Sequence, residues 1–270
     1  MKRLRLLAGI ALICLWSVAP FVWQLLTSLK PTAELEALPP LLPTEITLAH
    51  YEAIFTGYPF LRLLVNSAVV ASGATLAAVG LGSLAGFALA KLRPRGHTPL
   101  LAGIVGLSML PPIATVSPLF VLIHALGLRD TLPGLMLVYT GFALPLAVWL
   151  MTQFFRSIPD DLYIAARVDG CTAFSAFRKV MLPLAAPGLA AASLLTFIFC
   201  WNEFLYALSL TSSIAARTVP VGIALFPGLH EVPFGEIAAG SVLATLPVLL
   251  LAALFQRRVL EGLTAGAVKG

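Results

Sequence analysis

The apolar residues of this chain fall into blocks of about twenty parted by shorter polar patches, and about twenty residues is what a helix needs to cross a bilayer. Within each block the apolar side chains run continuously instead of alternating. That excludes a membrane barrel and leaves helices as the way to satisfy the backbone in lipid. Six spans are predicted, over about residues 6–29, 61–90, 100–126, 132–155, 188–210 and 237–255. The chain therefore reads as all-α, a polytopic membrane protein in a single transmembrane domain covering residues 1–270. Span two repeats a small residue every fourth position (Ala74, Ala78, Gly82, Gly86, Ala90), a stripe suited to close helix contact. Span three holds Pro111-Pro112 and Pro118 and is expected to kink or break, which is tolerated only against protein or a cavity.

Two polar stretches interrupt the rhythm. Residues 30–60 form a Pro-rich loop with Glu34, Glu36, Glu45 and Glu52. Residues 156–187 have a grammar of their own. Ser157 and Asp160 read as a capping box with Pro159 in the first turn, and a short helix runs on to Asp169-Gly170, where glycine supplies a left-handed stop. Thr172 can cap a second helix whose Phe174, Phe177, Val180 and Met181 share a face, with Arg178 and Lys179 in its last turn. Leu182-Pro183 is expected to end it. This is a helix–turn–helix bracket between two spans.

Composition agrees with the pattern. A chain of 270 residues with 59% hydrophobic and 11% charged positions and a mean hydropathy of +0.97 is no soluble domain, and a nucleic-acid partner is not expected despite the net charge of +5. The charge instead sets topology. With the N-terminus in the cytoplasm, segments 1–5, 91–98, 155–187 and 256–270 carry all of the 17 Lys and Arg residues except Lys30, Arg62, Arg129 and Arg217. Both termini and the bracket are then cytoplasmic. The first block looks like a signal peptide, but it is too long for one and Pro20 follows the small-residue site at Ser17-Val18-Ala19, so it reads as an uncleaved span. Cys14, Cys171 and Cys200 make no metal or redox spacing. The sequence has no nucleotide-binding phosphate loop, no zinc-protease helix and no nucleophile elbow, so the chain itself is not read as an enzyme.

By physics alone, the bracket is a structured loop that either fits a partner or packs on its own spans. Ala165-Ala166-Arg167-Val168-Asp169-Gly170, followed by Leu182-Pro183, resembles the signature loop of inner-membrane permeases of ATP-binding-cassette importers. The ending from Glu261 to Gly270, together with Asn66-Ser67, Leu126-Gly127-Leu128, Pro133-Gly134-Leu135 and Trp201-Asn202-Glu203-Phe204, is similar to the maltose-type second permease subunit of carbohydrate importers. The resemblance implies a coupling helix docking on a cytoplasmic ATPase through Ala165, Ala166, Asp169 and Gly170, with Leu182 and Pro183 as its exit. Ile164 stands where the family usually has Glu, and Asp160 or Asp161 could supply that charge. The tail, with Gly262, Thr264, Gly266 and Lys269, would also reach the ATPase.

Further expectations follow from the same resemblance. The chain would hold no cofactor, since ATP and Mg would be bound by two partner ATPase subunits. A homologous permease would pair with it as a heterodimer, an extracytoplasmic sugar-binding protein would deliver the cargo, and the setting would be the lipid of the inner membrane. The implied substrate is a carbohydrate, a disaccharide such as trehalose or maltose, though glycerol-phosphate importers share these motifs. A carboxylate inside an apolar span is a functional candidate, so Glu203, with Asn202, Trp201, Phe204 and Asn66, is a candidate for the translocation path. Glu203 either bonds sugar hydroxyls or serves a polar group on another span. The rival reading is a secondary transporter driven by an ion gradient, for which Glu203 is the one clear coupling residue. A purely structural scaffold leaves the broken helices unexplained.

Overall fold

The computed structural model describes residues 2–36, 40–226 and 232–267, with side chains at Arg3 and, within those ranges, from Arg5 to Gln256. Among the described residues the secondary structure is helical and no strand occurs. Four helices are long and apolar enough to cross a membrane: Arg5–Ser28, Phe60–Leu92, Leu132–Ser157 and Phe234–Gln256. Two bent helix pairs bring the number to six when each counts as one span. The single domain read from the sequence packs as two compact units, Met1–Leu64 with Val219–Val248, and Val65–Thr218 with Leu249–Gly270.

In the first unit, helix α1 (Lys2–Ser28) packs on little of its own chain, and Trp16, 83% exposed, is typical of it. After α2 (Thr32–Glu36), helix α3 (Ala49–Gly57) brings His50 and Ile54 inside. Lys30 is buried there: its ammonium donates to the Pro40 carbonyl and lies 4.7 Å over the Trp23 ring. His50 meets the Lys30 carbonyl at 2.9 Å and the Glu236 carboxylate at 3.4 Å. A core of Ile54, Phe60, Leu63, Val219 and Phe226 closes the unit, with Tyr58 stacked on Phe226 at 4.2 Å.

The second unit holds most of α4 (Phe60–Phe87), which ends in a π-turn over Ala88–Leu92. Two members of the small-residue stripe, Gly82 and Gly86, meet α7 (Leu132–Ser157). Gly82 and Gly86 are buried, and a Cβ on Gly86 would come within 2.8 Å of both Met151 Cβ and the Thr152 nitrogen. Close approach of the two backbones is therefore the reason for glycine at these two positions. Between them, α5 (His97–Leu107) and α6 (Pro112–Ala125) are bent by 89° at the break containing Pro111, as the prolines require. Asp130, in the left-handed region at φ +57°, closes the following loop: its carboxylate accepts the backbone N–H groups of Ser212 at 2.8 Å and Ser213 at 3.0 Å. Burial opposes its ionisation, but these N–H donors and the serine hydroxyls hold the carboxyl down to about 2.

The bracket forms with two changes from the sequence reading. Its first helix, α8 (Asp160–Val168), is not capped by Ser157. Ser157 is the last residue of α7, and its hydroxyl donates to the Phe154 carbonyl at 2.8 Å. Gly170 takes the expected left-handed turn at φ +83°, and Thr172 caps α9 (Ala173–Ala176) by accepting the Ser175 N–H at 3.2 Å. The second change is at Leu182-Pro183, which ends the helix one residue later than expected, at Leu184. A π-turn over Phe177–Met181 widens the bonding just before Pro183, which has no N–H to give, and α10 (Leu182–Leu184) carries on. The chain then turns by 78° at Ala185 into α11 (Ala186–Trp201). The fifth span ends as a continuous helix at Trp201 and resumes as α12 (Leu205–Leu210), where the sequence predicts one run over 188–210. The first unit supplies the next two helices, α13 (Val219–Ala224) and the start of α14 (Phe234–Ala267).

Candidate functional site

Phe87, at the end of α4, is the hub on which the bracket rests. Its ring centroid lies 5.8 Å from Phe155 of α7, 5.6 Å from Tyr163 of α8 and 5.1 Å from Phe177 of the π-turn. Met151, Met181 and Ala185 complete this core, and Leu182 packs against it while Pro183 is exposed. Such an aromatic and methionine cluster fixes the helices by buried area rather than by direction.

The hub decides which face of α8 is free. Ala166, only 5% exposed, turns inward, so the predicted Ala165-Ala166 docking pair is divided: Ala165 is exposed and Ala166 is not. Adjacent helical residues point in directions about 100° apart, and the sequence pattern alone does not show which of them faces the core. Asp161, Ile164, Ala165 and Val168 share the outward face at i, i+3, i+4 and i+7. Ile164 is 54% and Val168 81% exposed, and Asp169 and Gly170 follow, exposed at the tip.

Asp160 has a different role from the one its sequence position suggests. Its Oδ1 accepts a hydrogen bond from Lys91 Nζ at 2.6 Å and its Oδ2 one from Arg93 at 2.9 Å. The Lys91 hydrogen bond above all, with the added field of Arg93, outweighs desolvation and holds this carboxyl below the usual carboxylate range. Asp160 is thus tied within the chain to Lys91 and Arg93, whereas Asp161 stays exposed. Gly262, Thr264 and Gly266 lie in the last turns of α14, beyond the described side chains, and Lys269 lies outside the described residues.

The second cluster is the break between α11 and α12. Glu203 caps α12: Oε1 accepts the Tyr206 N–H at 2.8 Å and Oε2 the Ala207 N–H at 3.1 Å. The carboxylate therefore answers the donors that the break leaves unpaired. Trp201 is buried and stacks on Phe197 at 5.5 Å, and Asn66, fully buried, donates its amide to the carbonyls of Ile214 at 3.0 Å and Arg217 at 2.9 Å. Asn66 and Trp201 thus lie inside the protein, and of the predicted path residues Asn202 and Phe204 are the exposed ones. Asn202 donates back to the Ile198 carbonyl at 2.8 Å.

Sequence reasoning missed the polar groups that surround this break. Tyr206 bonds Thr115 of α6 at 2.8 Å and stacks on Phe142 at 4.4 Å, and the Tyr139 hydroxyl reaches the Glu203 carbonyl at 3.5 Å. The available signal was a hydroxyl in three successive apolar blocks. Among the described residues no group of His, Cys, Asp and Glu is placed to hold a metal ion.

A family model for binding-protein-dependent transport system inner membrane components matches residues 78–261. The trehalose transport system permease protein SugB of Mycobacterium tuberculosis is 46% identical over 257 residues, covering 94% of this chain and 93% of that protein. The trehalose/maltose transport system permease protein MalG of Thermococcus litoralis is 38% identical over 273 residues, covering 100% and 98%. Among solved structures, a bacterial ATP-binding-cassette transporter involved in the import of the acidic polysaccharide alginate has a chain with the same fold, at a TM-score of 0.77, 22% identity and 95% coverage of each chain.

Proposed function

The chain belongs to the family of binding-protein-dependent transport system inner membrane components, and from that premise we propose that it is the permease through which an ATP-binding-cassette importer passes a disaccharide such as trehalose or maltose across the cytoplasmic membrane. Relatives named for trehalose and for trehalose/maltose transport, similar along nearly the whole chain, support that cargo. The assembly is completed by a homologous permease, an extracytoplasmic sugar-binding protein, and two ATPase subunits that bind ATP and Mg and carry out hydrolysis. The distribution of Lys and Arg supports cytoplasmic termini and a cytoplasmic bracket. Asn202 and Phe204 are the residues offered to the translocation path, with Tyr139, Tyr206 and Thr115 behind them.

One observation carries the coupling role. α8 presents an exposed stripe of Ile164, Ala165 and Val168 on a helix whose other face packs on the Phe87 hub. Apolar surface on a charged, cytoplasmic loop implies a protein partner. With Ile164 in place of an acid, the seat in the ATPase is apolar at that point. A carrier driven by an ion gradient is not supported, because the family and the relatives similar along nearly the whole chain are permeases of binding-protein-dependent transport systems.

The test is sugar-stimulated ATPase activity and uptake in the reconstituted complex, comparing wild type with Gly170→Arg and Val168→Arg. Both variants should lose stimulation and uptake together. Val168→Arg adds bulk and charge without asking a side chain to adopt φ +83°, so its loss of coupling reports docking and not a strained turn. Unchanged uptake that survives ATP depletion would sink the importer reading.

A further inference from the structure

The bracket joins α7 through only two residues, Ile158 and Pro159, and both are extended (φ −76°, ψ 131° and φ −54°, ψ 139°). Pro159 fixes its own φ and confines Ile158 to extended backbone, which leaves rotation about the ψ angles of these two residues as the freedom of the link. If it turned freely, a push on α8 would be lost in rotation and would not reach the spans. The Phe87 hub resists separation of the helices, but ring faces slide at small cost.

Lys91 spans this link. Its side chain is 1% exposed, and its ammonium donates both to the Ile158 carbonyl, before Pro159, and to the Asp160 carboxylate, after it. Arg93 holds the other carboxylate oxygen and uses its Nε to reach the Ala90 carbonyl at 3.0 Å. The backbone that delivers these two cations is unusual on two counts: α4 ends in a π-turn, and Arg93 stands in the left-handed region at φ +47° with its N–H on the Ala88 carbonyl. A non-glycine residue in that region is costly, and such strain persists where the surroundings hold it, commonly at functional positions. A buried lysine also needs every partner it has.

We infer that Lys91, Arg93 and Asp160 form a latch that makes the α7–α8 link rigid and delivers movement of the bracket to the second span. They are positioning residues, acting through α8 and touching neither sugar nor nucleotide. The inference rests on the coupling role proposed for α8 and adds the route by which the force leaves it. An apolar contact alone would let α8 tilt, whereas two charge-assisted bonds on one carboxylate fix both its angle and its register.

The experiment measures ATP hydrolysed per sugar imported by the complete reconstituted transporter with its binding protein. It compares wild type, Asp160→Asn, Asp160→Glu, Arg93→Gln and Val168→Arg, with the amount of co-purified ATPase recorded for each. Asp160→Asn should raise the ratio about fivefold while the complex still assembles. Arg93→Gln should raise it less, and Asp160→Glu should bring it back towards wild type. A merely structural role would lower the yield of complex and leave the ratio of the surviving complex unchanged. If Asp160→Asn does not assemble, Arg93→Gln decides, since Arg93 is 56% exposed and its loss leaves no buried gap. An unchanged ratio in the assembled latch variants, with Val168→Arg inactive, overturns the latch and leaves the docking role standing. Full activity of Val168→Arg overturns the docking role and the latch with it.

Discussion

Asp160 and Glu203 each stand at the entrance of a short helix, yet they use their charge in opposite ways. Glu203 turns inward on its own segment and accepts two backbone N–H groups of α12. Asp160, at the first position of α8, leaves that helix uncapped and reaches across to Lys91 and Arg93 at the end of the second span. Location explains the difference. At the bracket, Lys91 and Arg93 close the long helix α4 and supply cations. Inside an apolar span no cation is at hand, and the donors freed by a helix break are what a carboxylate can find. A break in an apolar helix therefore calls for a local cap, while a polar bracket rich in charge offers a tertiary tie.

The comparison can be broken most strongly at Glu203. Glu203→Leu leaves two N–H groups unanswered in an apolar setting and should cost about 3 kcal/mol, read as a lower unfolding temperature in detergent. Glu203→Gln keeps one acceptor and should cost about half as much. Asp160→Asn should cost about 1–2 kcal/mol, because Lys91 is buried but the carboxylate is 44% exposed. Thr172→Ala should cost about 1 kcal/mol through the lost cap on α9, with little effect on the latch.

Acidification sharpens the contrast further, with a smaller effect. The Asp160 pKa is depressed in the folded protein, so its contribution to stability is fully present above about pH 4, the unfolded value, and is lost as pH falls through the folded one. A denaturation series on the acid side of pH 4 should be flatter for Asp160→Asn than for wild type. Equal slopes would mean that the carboxylate contributes nothing through its charge.

The bracket was largely legible because its signals are local. Gly170 and Thr172 act within a turn of themselves, and the structure finds both where the sequence puts them. Ser157 was misread because a hydroxyl there has two acceptable partners, the start of the next helix and the end of its own, and the second is taken. Asn66 and Trp201 are expected on the path from the family resemblance and, for Trp201, from a ring that could stack on sugar, but a polar residue in a span can equally be fastened inside, as the bonds from Asn66 to Ile214 and Arg217 show. No local rule separates those cases.

By itself the sequence determined the long apolar helices, the clustering of Lys and Arg and most of the bracket, since the length of apolar runs, the position of cations and turn chemistry act over a few residues at a time. Only the tertiary structure decided that Ala165 is free and Ala166 is not, that the fifth span breaks at Glu203, and that Asp160 belongs to Lys91 and Arg93, 69 and 67 residues away. Those outcomes depend on which groups meet across the fold. A charge or a methyl group takes the partner that packing brings within reach, and packing is a property of the whole unit.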